Sequence, residues 1–79
     1  MRILITAAAG PSDPTRASIP LHIAVNGCVP EGQDVQVVLA GDATELMVGD
    51  TVDRIEGVGV PPMRELVAKL IHHQVPVYV

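Results

Sequence analysis

The chain has 79 residues with a formal net charge of -4, from five basic and nine acidic side chains. Charges are interspersed and Tyr78 is the sole aromatic, so neither a basic patch nor a stacking platform for nucleic acid is present. No apolar run reaches the ~18 residues of a membrane span, and the first residues lack the pattern of a secretory signal.

Taken in order, Arg2-Ile3-Leu4-Ile5-Thr6-Ala7 is a nearly continuous apolar run rich in β-branched residues. It reads as a strand over 2–7, buried on both faces as in a parallel sheet. Ala8-Ala9-Gly10 is small enough for a tight turn or close approach to a ligand. Ser12-Asp13-Pro14 then opens a helix: Ser12 or Asp13 caps, and Pro14 sits where a missing N–H costs nothing.

The helix is expected from Pro14 to about Asn26, with Ala17, Leu21, Ala24 and Cys28 at helical spacing. Pro20 interrupts it, at a cost of about 3 kcal/mol inside a helix. Either the helix kinks there or a shorter one begins at Pro20, and Asn26-Gly27 ends it in both cases. After a turn at 29–33, a second strand is expected over 34–40, ending in Gly41-Asp42-Ala43. Two apolar strands joined through a helix imply a right-handed βαβ unit with parallel strands.

Both strands then deliver their C-terminal ends to one edge. Thr6, Gly10, Ser12, Asp13, Arg16, Gly41 and Asp42 are the expected lining of a pocket there. Asp13 and Ser12 with Arg16 could hold an anion at the helix N-terminus, against the simpler role of capping. Asp42 could orient a ligand or thiol, or cap a short helix over 43–48.

Residues 49–60 form the longest irregular piece, with Met47, Val48, Val52, Ile55, Val58 and Val60 in or beside it. It is expected to pack on a neighbouring subunit, with Met63 beside it. Pro61-Pro62 opens the clearest helix, where Met63, Leu66, Val67, Leu70 and Ile71 make one apolar stripe. Glu65 and Lys69 are spaced to pair on its exposed side. A third strand follows over 75–79. The first strand is expected to be central.

Cys28 is the only cysteine, so no internal disulfide or cysteine-based zinc site is expected, and a reducing cytoplasm is the simplest setting. It reads as an inert thiol packed on the helix face. His72 and His73 are adjacent on a helix and do not face a shared ion, so they and His22 read as solvated side chains. No phosphate or dinucleotide fingerprint occurs, and no cofactor is indicated. Hydrophobic residues make up 48% of the chain with one aromatic anchor, and open sheet edges need cover, so self-association is expected.

Three stretches carry a resemblance. Ile3-Leu4-Ile5-Thr6 leads into Gly10-Pro11 and Asp13-Pro14-Thr15-Arg16-Ala17; Gly32-Gln33-Asp34-Val35 leads into Val38-Leu39-Ala40-Gly41-Asp42-Ala43; Pro61-Pro62-Met63-Arg64-Glu65-Leu66 leads into Gln74-Val75-Pro76-Val77-Tyr78-Val79. In order and spacing the chain resembles the N-terminal part of the DsrE/DsrF-like family of small α/β proteins. The resemblance implies a single α/β domain with a three-layer α/β/α architecture and parallel sheet, apparently truncated after the third strand. It also implies trimers or hexamers and, in some members, sulfur relay by a persulfide-carrying cysteine working with donor or acceptor proteins. That cysteine lies just past the third strand in such members, beyond Val79 here, and Cys28 does not match it. The expected function is therefore intracellular sulfur transfer through a later cysteine. The alternative is a non-catalytic oligomerising or small-ligand-binding α/β domain.

Overall fold

The computed structural model describes residues 2–79. Strand β1 (Arg2–Ala7) runs into helix α1 (Pro14–His22), which continues as a π-helical stretch, Ile23–Cys28. Strand β2 (Asp34–Leu39) is followed by two 3-10 segments, Gly41–Met47 and Thr51–Arg54. Helix α2 (Met63–His72) and strand β3 (Val77–Tyr78) complete the described chain. The three strands are parallel, as the apolar runs imply, and the protein is a small α/β fold.

The strand order is β1-β2-β3, so β2 is central and β1 lies at an edge, contrary to the expectation from sequence. The placement has a physical consequence. Two right-handed crossovers that step in the same direction along a sheet put both helices on one face. A central β1 would have put them on opposite faces. Burial accordingly alternates along β1 instead of being uniform. Ile3, Ile5, Ala7, Val35, Val37, Leu39 and Val77 point toward the helices and belong to the core. Leu4, Thr6, Gln36 and Tyr78 lie exposed on the other face.

Helix α2 is close to the expected one. Met63, Leu66 and Leu70 are buried and Val67 is half-buried. Ile71 is not in the stripe: it is 73% exposed, because the turn after His72 carries the chain away beneath Leu70, whose carbonyl accepts from the Val75 N–H at 2.9 Å. Lys69 does not pair with Glu65. Its Nζ donates to Asn26 Oδ1 at 2.6 Å, and Asn26 in turn lies 2.9 Å from His22 Nδ1. This polar chain ties α2 to the helix that follows β1, and it draws His22 out of a purely solvated role.

Helix α1 runs through Pro20 without breaking. Asp13 is its N-cap, its carboxylate accepting from the Arg16 N–H at 3.2 Å. Buried Ser18 returns its hydroxyl to the Pro14 carbonyl at 2.8 Å, so its side chain carries no unmet donor into the core. Past Pro20 the ladder widens: the Val29 N–H donates to the Ala24 carbonyl, five residues back, at 3.1 Å. The helix therefore passes Asn26-Gly27 and ends at Cys28, whose thiol is buried as expected. Packing of Ala17, Leu21, Ala24 and Val25 into the core holds this irregular helix in place.

Residues 49–60 are less of a free surface than their composition suggests. Ile55 is buried in the chain's own core, Val52 is half-buried against it, and Met63, expected beside an interface, is fully buried there as well. Met47, Val48 and Val58 remain exposed.

Candidate functional site

The C-terminal ends of β1 and β2 meet where Gly10 presses against the backbone of Asp42. A Cβ on Gly10 would stand 2.8 Å from the Asp42 carbonyl carbon, and closer to its oxygen. Only glycine permits this approach. Gly41 supports it from the other side with φ of +58°, a left-handed conformation that turns the chain out of β2.

The approach builds an open cleft of about 350 Å³ lined by Ala8, Ala9, Gly10, Ser12, Asp13, Arg16 and Asp42. Five of the seven residues expected from sequence line it: Gly10, Ser12, Asp13, Arg16 and Asp42. Thr6 does not, because its position in β1 puts its side chain on the exposed face of the sheet with Leu4. Gly41 shapes the turn without lining the cleft. Ala8 and Ala9 complete the wall.

The charges divide into used and unused. Asp13 takes the Arg16 N–H with one oxygen and stands 3.7 Å from the Arg16 guanidinium with the other. The cation and the first-turn donor are thus engaged by the chain's own carboxylate, which leaves little for an external anion. Asp42 is different. The 3-10 segment it was expected to cap starts two residues earlier, at Gly41, with Ala40 in the capping position and no side-chain cap. Thr44, not Asp42, bonds the turn, its hydroxyl donating to the Gly41 carbonyl at 2.8 Å. Among the described residues the Asp42 carboxylate has no hydrogen-bonded or ionic partner. The cleft therefore offers a free carboxylate, a hydroxyl at Ser12 and backbone of a small-residue turn. That set accepts hydrogen bonds more readily than it binds phosphate.

Two features escaped sequence reading. Thr15 receives the far loop: its Oγ1 accepts from the Val58 N–H at 3.0 Å, and Gly57 lies so close that a Cβ would meet the Thr15 Cα at 2.8 Å. The Gly57-Val58-Gly59 spacing was the available signal. At the opposite edge of the sheet a smaller cleft of about 180 Å³ includes Gln33, whose Oε1 is buried without a partner. Cys28 is at that same edge, separated from Arg16 by the length of the helix, roughly 15–20 Å. No group of three or more His, Cys, Asp or Glu side chains is placed to share a metal ion among the described residues. No helix among them is long and apolar enough to cross a membrane.

The chain matches no protein-family profile, no curated protein and no solved structure.

Proposed function

We propose that this chain is a DsrE-like α/β domain that binds a small polar ligand at the C-terminal edge of its sheet. The observation that carries the reading is the Gly10–Asp42 approach, which opens a cleft and leaves the Asp42 carboxylate free within it. The ligand class follows from the lining: a small amine or polyhydroxylated compound that donates to Asp42 and exchanges a hydrogen bond with Ser12. A phosphorylated ligand is disfavoured because two carboxylates, Asp13 and Asp42, share the cleft with the single cation Arg16.

Sulfur relay is the second reading, supported by the resemblance of the chain to DsrE/DsrF-like proteins. It requires a thiolate at the cleft that takes sulfane sulfur from a donor persulfide and passes it to an acceptor protein. Cys28 is buried at the other edge, so this reading rests on a cysteine beyond Val79. A three-layer architecture belongs to the same proposal: the exposed face carrying Leu4, Gln36 and Tyr78 is where a further layer would lie. So do the trimer or hexamer, assembled through Met47, Val48 and Val58, and a cytoplasmic setting, which the single free cysteine supports.

The test is an amide-shift titration with small amines, amino acids and polyols at millimolar concentration. Shifts confined to residues 8–16 and 41–43, lost in Asp42→Asn, are expected. No response from any of these compounds would overturn the binding reading. Incubation with a persulfide donor followed by mass spectrometry addresses the other: a sulfur adduct on Cys28 would show that the chain's own thiol carries sulfur after all.

A further inference from the structure

We propose that the open edge of β1 is a self-pairing surface, on which β1 of a second copy docks antiparallel across a two-fold axis centred on Leu4. The inference is independent of the ligand cleft. The Ala40 N–H donates to the Ala7 carbonyl at 2.9 Å, which fixes the direction of the backbone groups along β1. In a parallel ladder alternate residues bond to the same neighbour. Ile3, Ile5 and Ala7 therefore bond to β2, and the N–H and C=O groups of Arg2, Leu4 and Thr6 point away from the sheet. None of these outward backbone groups has a hydrogen-bond partner in another turn or loop of the described chain.

The two edges of the sheet are unlike. The β3 edge is only two residues long and follows Pro76, both devices that blunt an edge. The β1 edge is six residues long with no proline, glycine or lysine. It is a template for another strand, and its own copy fits it in one register. With Leu4 opposite Leu4, Arg2 of each copy lies opposite Thr6 of the other. Every outward backbone group then has a partner, and no like charges face each other. Arg2 keeps its own pair, with Asp34 at 3.6 Å. The result is a continuous six-stranded sheet about the axis. On its outer face the two Leu4 side chains, each 62% exposed in the single chain, cover one another.

The experiment is sedimentation of the purified chain at micromolar to millimolar concentration, beside Leu4→Pro and Leu4→Lys. Proline at position 4 removes only an outward N–H and leaves the ladder to β2 intact, which an edge strand tolerates. Lysine there places two ammonium groups face to face at the axis. The expected result is an even-numbered assembly, a dimer at twice 8.3 kDa or a multiple of it, whose mass is halved by either substitution. Hydrogen exchange supplies a reading that does not depend on a variant folding: the Leu4 and Thr6 amides should gain protection as concentration rises, while the Ile3 and Ile5 amides stay protected throughout. A monomer at every concentration, an odd-numbered assembly, or an assembly unchanged by both variants would overturn the proposal. The first of these is what a strand from a different protein on this edge would give.

Discussion

Helices α1 and α2 cover the same face of the same sheet, yet they reach their positions by different routes. Helix α2 is regular over Met63–His72, with Met63, Leu66 and Leu70 buried along one side and no internal proline. Helix α1 carries Pro20, bends a buried serine back onto its own backbone and passes into a π-helical stretch. A host–guest ranking would favour α2 strongly over α1. Both nonetheless bury their key leucines, Leu21 and Leu66, completely. Tertiary packing, more than local preference, is what holds α1. The functional difference follows: the irregular helix is the one that presents Asp13 and Arg16 to the cleft, while the regular one serves the core.

The largest expected effect tests whether the two helices matter equally to the core. Leu21→Ala and Leu66→Ala should each lower stability by about 2–5 kcal/mol, since both leave a cavity among buried side chains. Urea titrations of the two variants make the comparison. A much smaller loss for Leu21→Ala would mean that α1 is held by something other than its buried face. The next effect has the opposite sign. Pro20→Ala restores a backbone donor inside α1 and should raise stability by about 1–3 kcal/mol, less whatever the unfolded chain gains in freedom. Amide exchange should then show whether the widened ladder over 23–28 tightens, as it should if Pro20 causes it.

Smaller still is the cap. Asp13→Ala should cost about 0.5–2 kcal/mol by removing the acceptor of the Arg16 N–H. The same substitution frees the Arg16 guanidinium, so an anion such as sulfate should bind the variant better than the parent chain; calorimetry reads both effects. The smallest effect belongs to α2. Ile71→Ala should change stability by less than about 0.5 kcal/mol, because the side chain is exposed. A loss of 1 kcal/mol or more in dilute solution would place Ile71 in a packed environment and reopen the stripe predicted from spacing.

Sequence by itself determined the three strands in outline, where α1 and α2 start and one edge of the sheet. The apolar run of 2–7 and the stripe of Met63, Leu66 and Leu70 are patterns of adjacent residues, and elements follow from such patterns directly. Asp13-Pro14 marked the start of α1 for the same reason, since capping involves groups within one turn. The cleft was legible because parallel strands must end on a common side, which brings Gly10 and Asp42 together in any strand order that leaves β1 beside β2. What only the tertiary structure decided was which neighbours the elements take. Strand order is a choice among crossovers of nearly equal local cost, and it moved β1 to the edge, turned Leu4 and Thr6 outward and set both helices on one face. The same holds for Lys69, which found Asn26 on another helix in place of Glu65 on its own, and for Ile71, exposed by the path of the chain after α2. These outcomes depend on contacts between residues far apart in the chain, and periodicity along the chain carries no term for them.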